Sequence, residues 1–189
     1  MVKARIYTRV LSFFFLSWTV VFFNCSMDEE YVHIAYSPVY FNLEALPYTN
    51  LSEYNFFQGE MKNLTAVYGV LPYELINPLF TDYSLKDRFV WMPQEENAYY
   101  LGDSEVLNFP TGTILIKNFS YNGVVPSNER KNIETRLMIK KAEGWIFANY
   151  IWNDEQTEAV YNLDGSTVEI EWTANNITNT VNYRVPSGS

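Results

Sequence analysis

Ile133-Glu-Thr-Arg-Leu-Met-Ile-Lys140, a break at Gly144 and then Trp145-Ile-Phe-Ala-Asn-Tyr-Ile-Trp152 form the stretch that decides the fold class. In the first run, alternation sets Ile133, Leu137 and Ile139 on one side and Glu134, Arg136 and Lys140 on the other. That period of two belongs to a half-buried strand. Gly144 marks a turn, and the second run returns rich in aromatic and β-branched residues, so the two read as an antiparallel hairpin.

The same grammar continues on either side. Residues 157–161 and 167–172 read as a second strand pair joined through Asp164-Gly165, with Val168, Ile170 and Trp172 toward a core and Glu169 and Glu171 toward water. A last strand is expected over residues 180–185. Upstream, Pro110-Thr-Gly is a turn signal before Ile114-Leu-Ile-Lys-Asn-Phe119, and Arg88-Phe-Val-Trp-Met places Phe89 and Trp91 on one side before Pro93 ends the run. Helix is expected only briefly. One short helix begins near Asn50, capped by Asn50 or Ser52 and ending at Gly59, and one turn lies at Tyr73 to Leu75 before Asn77-Pro78 breaks it. Six or more closely spaced strands with two brief helices predict a mostly β domain, an antiparallel β-sandwich or strongly curved sheet, over residues 46–189.

The amino terminus reads as an address. Lys3, Arg5 and Arg9 precede an apolar run over residues 10–23, about 14 residues where a membrane-spanning helix needs roughly 20, so residues 1–24 read as a signal peptide. The run ends at Cys25, followed by Ser26, Met27 and the acidic Asp28, Glu29 and Glu30. This arrangement resembles a bacterial lipoprotein maturation site, in which the Cys25 thiol would carry lipid and residues 25–45 would form a lipidated tether and lead-in. Phe22-Phe23-Asn24 differs from the small residues of the strict lipobox and resembles the relaxed form of Bacteroidetes-type bacteria, where an acidic tract after the cysteine resembles a surface-export signal. The alternative is a cleaved signal peptide with an incidental cysteine in its tail. The implied location is extracytoplasmic and membrane-anchored, at the outer membrane or the cell surface.

Composition excludes several functions. The chain has 189 residues, 48% hydrophobic, 17% aromatic and 19% charged, enough for one core and too apolar for disorder. A single cysteine and a single histidine exclude an internal disulfide, a Cys/His zinc site, a Cys-x-x-Cys pair and a haem-attachment motif. Removing residues 1–24 takes away three basic and no acidic residues, which lowers the net charge from −9 to −12 and argues against nucleic acid as a partner.

Several phrases occur together in order. They are Val70-Leu-Pro-Tyr-Glu-Leu-Ile-Asn-Pro-Leu-Phe-Thr-Asp-Tyr-Ser-Leu-Lys-Asp-Arg-Phe-Val-Trp-Met-Pro93, Phe109-Pro-Thr-Gly-Thr-Ile-Leu-Ile-Lys-Asn-Phe119, Ile133-Glu-Thr-Arg-Leu137, Gly144-Trp145, Tyr150-Ile-Trp-Asn-Asp-Glu-Gln-Thr-Glu-Ala159 and Tyr183-Arg-Val-Pro-Ser187. Together, over residues 46–187, they resemble the amino-terminal domain of a family of exported bacterial proteins, often lipoproteins, classed with c-type cytochromes. In that family the segment similar to Tyr183-Arg-Val-Pro-Ser187 is followed by Cys-x-x-Cys-His, where haem is bound. This sequence ends at Ser189 without that motif, so haem c is expected only if a further segment supplies it. The resemblance implies a non-haem accessory domain of an electron-transfer protein, one that docks or positions a redox partner.

The residues themselves offer few sites. His33 lacks a second histidine or thiol to make a metal or acid–base pair. Glu134 and Arg136 are expected on one strand face, as an ion pair, as an anion-accepting patch with Lys117 and Lys140, or as an ordinary solvated face. Asp154, Glu155 and Glu158, with Asn153 and Gln156, could serve acid–base chemistry or calcium, or form an acidic loop. Tyr99, Tyr100, Tyr121, Tyr150 and Trp152 could line a platform for a glycan or a protein, or fill the core. The sequons at Asn50, Asn63, Asn118 and Asn176 would be incidental in a bacterial lipoprotein. No nucleophile elbow, phosphate-binding loop, dinucleotide fingerprint or His-Glu-x-x-His occurs, so an enzyme acting alone is the weakest reading. The second expectation is therefore a surface module that binds a ligand or glycan.

Overall fold

A computed structural model of the chain describes residues 36–80 and 83–187, all within the unit Ile34–Ser189. The segment expected to be a signal peptide, residues 1–24, and Cys25 and His33 lie outside the described residues. The unit is mostly β, an open antiparallel sheet built from β1 (Val70–Pro72), β2 (Leu85–Trp91), β3 (Ile114–Val124), β4 (Glu129–Lys141), β5 (Gly144–Trp152), β6 (Ala159–Tyr161), β7 (Ser166–Ala174) and β8 (Ile177–Val185). β1 to β6 lie side by side in chain order, and the β7–β8 hairpin branches from the end of β3 through Val124 opposite Trp172.

The decisive hairpin forms as the alternation demands, β4 and β5 pairing from Glu134 opposite Ile151 to Lys141 opposite Gly144. Its inner face carries Leu137, Ile139 and Ala148, joined by Ile114 and Ile116 of β3 and Phe89 and Trp91 of β2. The segment before the sheet covers that face with Leu46, Tyr48, Leu51, Tyr54, Phe56, Phe57, Leu64 and Val67, while Val39 and Phe41 pack at its margin. Each such aliphatic or aromatic side chain contributes roughly 1.5–3 kcal/mol on burial.

Ile133 departs from the expected face. Two residues of β4, Ile133 and Glu134, sit where β3 offers one, so a bulge shifts the register between Phe119 and Ser120. Asn132 thereby turns to the inner face, where it accepts a hydrogen bond from Asn118 Nδ2 at 2.8 Å, and Ile133 joins a second cluster with Tyr121, Val124, Ile170, Trp172 and Val185. This cluster glues the β7–β8 hairpin over the outer face of the sheet. Gly123 permits the branch: at φ +67° its missing Cβ would lie 2.7 Å from the carbonyl oxygen of Thr173.

Other local expectations are corrected. The helix near Asn50 is a 3-10 turn, Leu51–Tyr54, stopped by Asn55 in the left-handed region, and not a helix to Gly59. Residues 73–75 form no helical turn, because the Tyr73 N–H donates to Arg88 O and extends the β1–β2 pairing. A second 3-10 turn occurs at Met61–Asn63. β6 pairs with β5 and not with β7, since its other side is held by Tyr161 N–H donating to Thr49 O, and β7 pairs with β8 along its length.

Candidate functional site

The register across the outer face brings cations into a line. Arg88 of β2 lies directly opposite Lys117 of β3, which lies directly opposite Arg136 of β4, which lies opposite Asn149 of β5. One step along the strands, Lys86, Phe119, Glu134 and Ile151 form the neighbouring row on the same face. Like charges directly opposite in a sheet each cost roughly 0.2–1 kcal/mol. With Arg184 on β8, five of the chain's 13 lysines and arginines gather here, in a protein of net charge −9.

Local geometry holds the row in place. The Lys117 ammonium and the Arg136 guanidinium sit over the buried Phe119 ring, 4.7 and 4.6 Å from its centre. Glu134 is fully buried, and its Oε1 accepts hydrogen bonds from Arg136 Nη2 and from the Tyr183 hydroxyl of β8, both at 2.5 Å. Burial, followed by that carboxylate, pushes the Tyr183 hydroxyl well above its usual range, so it stays a proton donor. Arg88 is nearly buried, with Glu74 3.6 Å away as its counter-ion, and Lys86 donates to Leu79 O at 2.7 Å.

Lys117 is different. Among the described residues its ammonium has neither a hydrogen bond nor an ion pair, and burial, then Lys86, Arg88 and Arg136, push its pKa down against the opposing pull of Glu134. It opens into a cleft of about 470 Å³ between β8 and the sheet, lined also by Arg136, Arg184, Phe119, Phe80 and Ser84. The cleft floor thus sets Lys117 and Arg136, which repel each other, above the buried Glu134 carboxylate, whose Oε2 has no hydrogen-bond partner among the described residues.

A larger hollow of about 600 Å³ between β7 and the ends of β4 and β5 lacks this character, because its Lys131 is neutralised by Asp154 at 2.8 Å. That bond holds the Asp154 carboxyl below its usual range. Glu158 is committed to structure: it accepts from the Ser52 backbone and hydroxyl at 3.2 and 2.5 Å and ties the 3-10 turn to the sheet. Among the described residues no group of three or more His, Cys, Asp or Glu side chains is placed to hold a metal ion.

The residues expected to form a surface therefore divide. Lys117 and Arg136 meet in the cleft, and Glu134 lies beneath them, buried by β8 and not on a solvated face. Lys140 is not part of the site, since its ammonium lies over Trp145, 5.6 Å from the ring centre. Tyr150 and Trp152 are core residues and form no platform: the Tyr150 hydroxyl bonds with Tyr54 and Tyr48 O at 2.8 Å, and Trp152 Nε1 donates to Thr135 Oγ1 at 2.9 Å. Tyr121 is also buried, whereas Tyr99 and Tyr100 are exposed. Asn118 is buried within a side-chain network with Asn132 and Thr135, so its sequon cannot carry a glycan in the folded chain. Sequence reasoning missed Lys86, Arg88, Arg184 and Tyr183. For Arg88 the signal existed, because placing Phe89 and Trp91 inward places Arg88 outward, but its alignment with Lys117 depends on register.

No protein-family model matches this chain, and no curated protein or solved structure matches it. The resemblance to exported proteins classed with c-type cytochromes accordingly stands on the quoted phrases alone.

Proposed function

We propose that this chain is an extracytoplasmic, lipid-tethered binding module that captures an anionic ligand in the cleft between β8 and the outer face of the sheet. The single observation that supports it most is the line Arg88, Lys117 and Arg136, three like charges directly opposite one another, in which Arg88 faces Glu74 and Arg136 faces Glu134 while the Lys117 ammonium has no counter-ion among the described residues. Such an arrangement works against folding, and an anionic ligand supplies the missing counter-charge. Of the two functions expected from the sequence, ligand binding is better supported than positioning of a redox partner, because Lys117, Arg136 and Arg184 line one cleft. The tether and location rest on Cys25 and the apolar run before it.

The test is calorimetry of the full chain against inorganic phosphate, citrate and polyglutamate at low and high salt. Binding that weakens as salt rises, and that falls at least tenfold in Lys117→Gln, is the expected result. Binding indifferent to Lys117→Gln and Arg136→Gln removes the cleft from the function.

A further inference from the structure

The cleft adjoins a second hollow, and one of its walls is strand β8. Among the described residues β8 pairs only with β7, so the other side of its nine residues carries no strand partner, whereas β1 and β6 are three residues each and the far side of β7 meets β3 at Trp172 opposite Val124. Val181, Asn182, Tyr183 and Arg184 of β8 form the wall of the cationic cleft. Pro186 and Ser187, just beyond β8, wall a neighbouring hollow of about 220 Å³ over Arg136, Phe147 and Asn149. Arg136 lines both, so the two hollows adjoin, the first along β8 and the second just past its end, with a floor that is cationic at Lys117 and Arg136 and apolar at Phe147, which is 67% exposed. Among the described residues, Arg136 Nε and Asn149 Oδ1 in this floor have no hydrogen-bond partner.

We infer that the ligand is an extended acidic polypeptide segment that adds as a strand to the free edge of β8, with carboxylates over Lys117 and Arg136 and an apolar side chain over Phe147. This rests on the anion-site reading and deepens it. A strand edge offers alternating N–H and C=O groups that only another polypeptide backbone matches along its length, while the floor reads every second side chain. The strand part of the wall, Val181 to Val185, spans about 17 Å at ~3.3 Å per residue, room for a paired segment of about five residues, and beyond it the Pro186 carbonyl oxygen accepts from Asn149 Nδ2 at 3.4 Å. Charge selects the class of segment, since an acidic strand meets the Lys117 ammonium, which has no ion pair among the described residues, beside the Arg136 guanidinium, which Glu134 holds in place.

The experiment titrates the full chain with a blocked seven-residue peptide of alternating Glu and Val, with the same peptide N-methylated at alternate backbone nitrogens, and with an acidic polysaccharide. The expected result is binding by the unmodified peptide, at least tenfold weaker binding after N-methylation, and at least tenfold weaker binding to Lys117→Gln. Equal binding of the two peptides, with dependence on Lys117, overturns strand addition and leaves the anion site standing. So does binding of the polysaccharide but not the peptide. Loss of nothing in Lys117→Gln overturns both readings, and self-association of the chain through β8, read by sedimentation, overturns the acidic-peptide assignment.

Discussion

Replacing Lys117 by Met removes the ammonium while keeping an unbranched apolar stem over Phe119. Two like-charge neighbours stand directly opposite Lys117, Arg88 on one side and Arg136 on the other. Relieving them recovers roughly 0.4–2 kcal/mol, taking about 0.2–1 for each pair. The variant loses the cation–π contact with Phe119, worth about 0.5–1 kcal/mol. The net expectation is a fold about 0.5 kcal/mol more stable, a rise in Tm of roughly 1–2 °C for a chain of this size, together with loss of anion binding. Differential scanning calorimetry at neutral pH and low salt reads the first, and ligand titration the second. The pH dependence gives an independent sign. Because the folded state holds the Lys117 pKa below 10.5, the unfolded chain binds more protons between the folded value and 10.5, so wild-type stability rises relative to the variant as pH climbs through that window. A fall in Tm of 2 °C or more in Lys117→Met, or anion binding retained by it, would refute the reasoning.

The remaining predictions concern what holds and delivers the site. Glu134→Gln weakens two hydrogen bonds to a buried carboxylate and should destabilise the chain by about 1–3 kcal/mol in urea unfolding; a change under 0.5 would mean that β8 is not held by this carboxylate. Gly123→Ala sets a Cβ against the Thr173 carbonyl oxygen at a left-handed φ and should cost roughly 1–3 kcal/mol, read as earlier loss of tryptophan fluorescence from Trp172; an unchanged midpoint contradicts the close approach of β7 to β3. Cys25→Ser should release the chain from the membrane fraction on ultracentrifugation, and unchanged fractionation contradicts the lipid tether.

What could be read in advance was what local pattern controls. The β4–β5 hairpin and the inward Phe89 and Trp91 follow from alternation within single strands, and the structure contains them. Ile133 was misplaced because a bulge breaks the period of two, and nothing in Ile-Glu-Thr-Arg announces which residue will be squeezed out of register. The ion pair of Glu134 with Arg136 follows from their shared face and is present at 2.5 Å, whereas the burial of Glu134 depends on Tyr183, 49 residues away, because the β7–β8 hairpin folds across the outer face. Tyr150 and Trp152 fitted both a platform and a core, and the choice depended on the segment around Tyr48 and Tyr54 closing over them. A patch joining Lys117 and Arg136 is an expectation from the face that alternation gives Arg136, but the line they form with Arg88 is a property of register between three strands.

The account turns on Lys117 as the centre of an anion site, and side-chain NMR reads that ammonium directly. Titrating the lysine Nζ signals of the full chain, alone and saturated with the acidic peptide, should show Lys117 below the ordinary lysine value of 10.5 when free and shifted upward when bound. A Lys117 signal that titrates like an ordinary lysine, or that the peptide leaves in place, would contradict the central claim.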